Sequence, residues 1–229
     1  ITDVNQAGRV AGRLYAISTA GSFIGSFLPE LVLLDWIGTR GTFVLLALIL
    51  IAIGFISIGR KSIGFVWMPI VLIALNVLIP VSISDIAGTI YQTESAYNYI
   101  QVVQRGDTRF LLLNEGQGIH SIYNPNGIQS NGTWDYFTLA PFFNPAPYSP
   151  ARLKRLAIVG LAGGTIARSY STIFGPLPID GIEIDPKIVQ VGQKYFDMNE
   201  SNLNVIVADG RAALASSPYH YNIVAIDAF

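Results

Sequence analysis

LAIVGLAGGTIARSYSTIFGPLPIDGIEID, residues 156–185, reads as strand, glycine-rich turn, helix, strand and acidic end. Leu156 to Val159 is a short apolar run of the kind found in a buried parallel strand. Gly160, Leu161, Ala162, Gly163 and Gly164 then turn the chain with almost no side chain in the way. Such a turn lets a ligand approach the backbone, and N–H groups at the following helix start favour an electron-rich partner. Glu183 lies 23 positions after Gly160. That is close to the spacing at which a second-strand carboxylate meets ribose hydroxyls.

Two further strands extend the pattern. Asn204 to Ala208 is apolar and runs into Asp209-Gly210; Tyr221 to Ile226 runs into Asp227. Acidic residues therefore close three successive strands, and ligands of open α/β sheets bind beyond the carboxyl ends of the strands. Asp185, followed by Pro186, reads as the cap of the next helix. A carboxylate closing an apolar strand is costly to bury without a partner, which singles out Asp227 alongside Glu183.

The chain has 229 residues, of which 51% are hydrophobic and 13% charged. A charged share nearer a quarter is usual in soluble domains. The deficit is uneven: residues 1–90 hold nine of the 29 charged side chains. The front half is membrane-like and the back half soluble-like. A net charge of −1 gives no footing for nucleic acid. With no cysteine and two histidines, the chain offers no disulfide, no thiolate chemistry and no metal cluster. His120 and His220 read as surface or packing residues. The first residue, Ile1, and the last, Phe229 directly after a strand end, suggest a piece of a longer protein.

Thr42 to Gly59 and Gly64 to Ile83 are uncharged runs of 18 and 20 residues. At 1.5 Å per residue each is about long enough to cross a hydrocarbon core. Leu14 to Leu34 is a third, weaker span, rich in small residues suited to close helix packing in lipid. Glu30 sits near its end and is expected at the interface. Residues 84–90 read as a connector. Tyr99 to Gln104 and Arg109 to Asn114 read as a hairpin about the turn Arg105–Thr108, and Gly118 to Tyr123 as a third strand. Residues 124–132 are a loop by composition, and Thr133 to Phe143 read as helical, stopped by Pro145, Pro147 and Pro150. No internal repeat is present.

The order of these pieces resembles the spermidine synthase (polyamine aminopropyltransferase) family. More closely, it resembles bacterial membrane proteins in which a transporter-like helical segment is fused to such a domain. The resemblance runs from about Glu94 to Phe229. It rests on Glu94-Ser95-Ala96-Tyr97-Asn98, Leu111 to Gln117, Trp134-Asp135-Tyr136, the glycine turn, Glu183-Ile184-Asp185, Asp209-Gly210 and Asp227. Gly12-Arg13-Leu14-Tyr15 and Ser18 to Ser22 resemble the fused segment. The implied architecture is transmembrane helices over 1–86 (about 14–34, 42–59 and 64–83), a small antiparallel β domain over 91–143, and an incomplete α/β Rossmann-like domain over 152–229.

The resemblance implies an aminopropyl transfer from decarboxylated S-adenosylmethionine to a putrescine-like amine, without a metal. Gly160, Ala162, Gly163, Gly164, Asp209 and Gly210 would then hold the adenosyl group, with Glu183 on the ribose hydroxyls and Asp209 at the adenine. Asp227 would face the transferred group or the amine, and Gln117 and Tyr136 would line the pocket from the β domain. A sulfonium and a polyamine are both cations, which a carboxylate-lined pocket attracts. The sequence departs from the family at Ala162, where an Asp grips the aminopropyl amine, and at Asn98, where a Gln follows Tyr. The first departure keeps ordinary S-adenosylmethionine, and hence a methyltransferase, as an alternative. A non-catalytic polyamine- or nucleoside-binding transport or sensing protein is another. Expected partners are the small amine, the lipid bilayer of a bacterial inner membrane and a second copy of the chain. Arg9, Arg13, Arg60 and Lys61 against Arg40 would put residues after Ile83 outside, whereas an adenosyl substrate places the soluble part in the cytoplasm; the latter is expected here.

Overall fold

The computed structural model describes residues 4–59, 64–78, 86–114, 118–143 and 152–228. The chain divides into two compact units, Ile1–Ser82 and Ile83–Phe229.

The first unit is helical. Helix α1 spans Val4–Leu28 and continues through a wider π-helical turn at Pro29–Leu33, followed by α2 at Leu34–Ile58 and α3 at Trp67–Leu78. Pro29 lacks an N–H and clashes with the preceding turn, so the hydrogen-bond pattern loosens there. Gly38 breaks α2 with φ 68° and ψ 175°. The segments Ala7–Leu33 and Trp36–Ile58 are long and apolar enough to cross a membrane, by length and composition only. The third expected span is a shorter helix, Trp67–Leu78; positions 79–83 lie outside the described residues, as do Arg60 and Lys61.

The second unit begins with an antiparallel meander: β1 (Thr89–Glu94), β2 (Tyr99–Arg105), β3 (Thr108–Leu113) and β4 (Gly118–Tyr123), in the order β1-β2-β3-β4. The hairpin and the strand at 118–123 are as read from the sequence. Strand β1 is a correction at its start, because Thr89 and Ile90 fall in the expected connector 84–90, and its remainder lies in the expected β domain without having been read as a strand. Its residues Thr-Ile-Tyr-Gln-Thr-Glu do not alternate apolar with polar side chains, although their exposure alternates at first, and its pairing with β2 slips between Thr89 and Tyr91. Residues 133–143 are likewise not one helix. One turn, α4 (Trp134–Phe137), is followed by a 3-10 turn at Ala140–Phe143, since Pro141 cannot supply an N–H to a continuing helix. Pro145, Pro147 and Pro150 lie outside the described residues.

A parallel sheet follows: β5 (Leu156–Val159), α5 (Thr165–Phe174), β6 (Ile179–Glu183), α6 (Pro186–Tyr195), β7 (Leu203–Val207), α7 (Gly210–Ser216) and β8 (Ile223–Ile226). Its order is β7-β6-β5-β8. The direction of winding thus reverses beside β5, the place where open α/β sheets hold ligands. Leu156, Ile158 and Ile179 pack with Ile166, Ala167 and Tyr170 of α5 in one core. Ile100, Val102, Leu111 and Leu113 of the meander pack in another on Ile188 and Val191 of α6 and on Phe196 just after it. The meander therefore rests on the helix that leaves β6, with its ends close to the rim of the parallel sheet.

Candidate active site

The carboxyl ends of the parallel strands are tied to one another. Val159 O accepts from Asp227 N (2.9 Å), Ile182 O from Gly160 N and Leu161 N, and Glu183 O from Ala208 N (3.1 Å). Above this rim lies a cavity of about 310 Å³ lined by Val159, Gly160, Ala162, Glu183, Asp209, Gly210 and Asp227 from the sheet side. Asn98, Asn114 and His120 close it from the meander. No lysine or arginine is among the described lining residues. The groups brought together suit a cation: three carboxylates, two amides and one imidazole.

Gly160 permits the closeness of the rim. Its φ is +83°, and a Cβ there would stand 2.4 Å from the carbonyl oxygen of Asp227. Gly210 is similar, since a Cβ would meet Val159 at 2.4 Å. Ala162 takes the left-handed conformation at φ 47° although it is not glycine. That places its N–H 3.0 Å from Glu183 Oε2.

The remaining turn residues correct the sequence reading. Gly163 and Gly164 are not on the cavity wall. Gly163 N–H donates to Ser121 Oγ at 2.8 Å, and a Cβ there would strike Ser121 and Phe196. Gly164 N–H donates to Leu161 O, and its left-handed backbone packs against Met198. The N–H groups of Gly163 and Gly164 are thus turned to protein acceptors, the first to β4 of the meander and the second within the turn. Thr165 Oγ1 completes this clamp, accepting from Ile122 N and donating to Ile122 O.

Glu183 is buried, with Oε1 accepting from Asp185 N (3.1 Å) and Oε2 from Ala162 N. Burial raises its pKa, and the hydrogen bonds from these backbone N–H groups oppose that rise. Asp185 caps α6 as expected, Oδ1 accepting from Lys187 N at 2.9 Å. Its other oxygen holds Ser95 Oγ and Asn98 Nδ2, so the β1–β2 turn is stitched to the start of α6 and Asn98 is delivered to the cavity. Asp209 lines the cavity and also caps α7, accepting from Ala212 N at 2.8 Å.

Asp227 accepts a hydrogen bond from Trp134 Nε1 at 2.8 Å. Burial raises its pKa, while the indole N–H and the nearby His120 pull the other way. Tyr136, expected at the pocket, is not brought there. It is 72% exposed, on the opposite face of a one-turn helix whose Trp134 is 8% exposed and points inward. Asp135 fixes this choice of face by accepting from Ser130 N, Ser130 Oγ and Asn131 N. Gln117 lies outside the described residues. His120, read from the sequence as a surface or packing residue, lines the cavity instead. Burial lowers its pKa and Asp227 opposes that shift. Among the described residues no three His, Asp or Glu side chains are placed so that they could hold one metal ion.

No protein-family model matches the chain. Over 178 residues it is 32% identical to a probable polyamine aminopropyl transferase of Bifidobacterium longum (strain NCC 2705), covering 76% of this chain and 38% of that protein. Over 173 residues it is 28% identical to a polyamine aminopropyltransferase of Vibrio vulnificus (strain CMCP6), covering 70% of this chain and 56% of that protein. The chain thus spans between about two fifths and somewhat over half of the curated relatives it matches. In structure it is similar to a probable spermidine synthase from Corynebacterium glutamicum ATCC 13032, with a TM-score of 0.51 and 19% identity over 63% of this chain and 52% of that one. That likeness concerns the fold: a small antiparallel sheet joined to a Rossmann-type sheet.

Proposed function

We propose that this chain belongs to an aminopropyltransferase that moves an aminopropyl group from decarboxylated S-adenosylmethionine to a small, putrescine-like amine. Its similarity to the two curated polyamine aminopropyltransferases supports the reaction class. The observation that carries the reading is the cavity itself, in which Glu183, Asp209 and Asp227 converge over Gly160 with no basic lining residue among those described. Both proposed substrates are cations, and fixed carboxylates in a half-closed site attract them more strongly than water-exposed ones would.

In this reading Glu183 accepts the ribose hydroxyls, and Asp209 with Gly210 borders the adenine. Gly160 and Ala162 form the floor, and Asp227 faces the amine. Gly163, Gly164, Gln117 and Tyr136 are assigned no direct contact. Incubation with decarboxylated S-adenosylmethionine and a series of diamines should release methylthioadenosine together with the lengthened amine. Absence of methylthioadenosine with every amine would overturn the reading.

Ala162 favours a second reading. It contributes only a methyl group to the cavity wall, so this turn holds no carboxylate for a transferred amine. Calorimetric titration separates the two. Binding of ordinary S-adenosylmethionine without binding of its decarboxylated form would favour a methyl transfer.

The proposal extends to the front of the chain, with residues 1–86 as membrane helices, 91–143 as a β domain and 152–229 as the nucleotide-binding domain facing the cytoplasm. Support comes from the two apolar helical segments. The protein should sediment with membranes, resist alkaline carbonate and be released by detergent. Recovery in the carbonate supernatant would refute the anchoring.

A further inference from the structure

The carboxylate of Asp227 is gripped from outside the parallel sheet. Its backbone belongs to the rim, Asp227 N donating to Val159 O. Its Oδ2 accepts the indole N–H of Trp134 at 2.8 Å, from a turn 93 residues earlier in the chain. That turn is built around the indole. Trp134 is buried, in the core that includes Ile158 of β5 and Ala225 of β8. A Cβ on Gly132 would stand 2.8 Å from the ring, so the glycine makes room for it. On one side of Trp134, Gly132 N donates to Ser130 Oγ, and Ser130 Oγ donates to Asp135 Oδ1. On the other, Asp135 takes the N–H groups of Ser130 and Asn131, and Phe137 O accepts from the buried Tyr170 hydroxyl. The donor reaches Asp227 from a frame hydrogen-bonded before and after it.

Resting on the aminopropyl-transfer reading above, we propose that Trp134 is a positioning residue of the reaction: its indole N–H fixes the carboxylate plane of Asp227, so that the other oxygen meets the nitrogen of the attacking amine. A free aspartate turns broadly about its last bond. Tying one oxygen removes that freedom and leaves Oδ1 for the amine. A charge-assisted hydrogen bond also replaces part of the hydration that a half-buried carboxylate gives up. The indole suits the task because it donates only: it neither titrates nor takes the amine's proton. A small misplacement of a group at the reacting atoms costs rate more than it costs binding.

The charges around Asp227 set what the hydrogen bond does. Burial raises its pKa, and the indole and then His120 oppose the rise. His120 lies at a β-bulge of β4, between the pairs Leu111–Ser121 and Leu112–Ile119. Glu183 at the end of β6 and Asp209 after β7 are the further ionisable groups among the described lining residues, and by sign they favour the protonated acid. The Trp134 N–H thus works with His120 to keep Asp227 charged.

The test compares wild type with Trp134→Phe, which keeps an aromatic body and removes the N–H. Methylthioadenosine release is measured across pH, and methylthioadenosine affinity by calorimetry. The kcat should fall by about tenfold or more. KM for the sulfonium donor and the affinity for methylthioadenosine should stay close to wild type. Without its donor the carboxylate holds a proton more tightly, so the acid limb of the kcat/KM profile should move to higher pH. The amine's own titration is common to both proteins, so the difference between the profiles isolates the carboxylate. An active wild type with an unmoved acid limb in the variant would overturn the role of Trp134, whatever happens to kcat, and leave the transfer reading standing. A wild type releasing no methylthioadenosine would overturn both. If the variant does not fold, the indole N–H resonance of Trp134 is followed across pH in wild type, assigned against Trp36→Phe and Trp67→Phe. A resonance that tracks a carboxylate titration and moves when amine and methylthioadenosine bind together supports the role, and one that stays flat overturns it.

Discussion

Glu183 has two tasks that pull on the same carboxylate. It satisfies the N–H groups of Ala162 and Asp185, and in the proposed complex it accepts the ribose hydroxyls. Glu183→Ala removes both functions. Adenosyl-ligand affinity should fall at least about tenfold, equivalent to about 1.4 kcal/mol, as read by calorimetry with methylthioadenosine. Unchanged affinity would place the ligand elsewhere. The two N–H groups left behind should also lower stability, by about 1–3 kcal/mol for each that water does not reach. Because burial raises the pKa of Glu183, acid should weaken binding earlier than for a free glutamate. The ionised acceptor is lost as pH falls through the raised folded value, which lies above the ordinary 4.5. A binding curve flat down to the ordinary glutamate range would argue that the carboxylate does not touch the ligand.

At the scale of elements, the contact between β4 and the glycine turn decides where the cavity has walls. Ser121→Ala leaves Gly163 N–H facing a methyl group in a buried place. Stability should drop by about 1–3 kcal/mol, readable as a shift of the urea midpoint. Ligand affinity should fall with it, because the same contact steadies the glycine turn that floors the cavity. A variant as stable as wild type would mean that the clamp is incidental. These elements also show what the sequence discloses. Strand β5, the turn and β6 were legible because an apolar run, glycines and a carboxylate fall in consecutive positions. Asp209 and Asp227 were legible because each closes an apolar strand. Trp134 was not, since its partner Asp227 lies 93 residues away. Tyr136 drew the attention instead, although Asp135 holds the turn with Trp134 inward. His120 was missed because a bulge depends on the register between two strands, and register leaves no local mark.

Across the whole second unit, one polar cluster centred on the buried Asp180 joins all four parallel strands. Asp180 on β6 is 1% exposed and bonds Arg155 beside β5 (2.6 Å), Asn204 on β7 (2.8 Å) and Tyr221 ahead of β8 (3.0 Å). Burial by itself would raise the pKa of Asp180. The hydrogen bonds from Asn204, Arg155 and Tyr221, with the Arg155 charge, outweigh it, so the value falls below the ordinary 3.8. A carboxylate depressed in the folded state stabilises above its unfolded pKa, and that stability drains away as pH falls through the folded value. Glu183, Asp227 and Glu200 run the other way. Burial raises all three, so each stabilises most when protonated and gives that up as pH rises through its folded value. The two effects occupy different windows: below 3.8 for Asp180, and from the ordinary carboxylate range upward for the others. Asp180→Asn should therefore cost stability at neutral pH, where the partly exposed Arg155 loses its counter-charge. The difference from wild type should shrink as pH drops below 3.8, because protonation makes the wild-type side chain neutral too. Thermal melts of the two proteins over that range measure it directly. A gap that stays constant down to strong acid would show that the cluster acts through hydrogen bonding and packing, with no share from the charge.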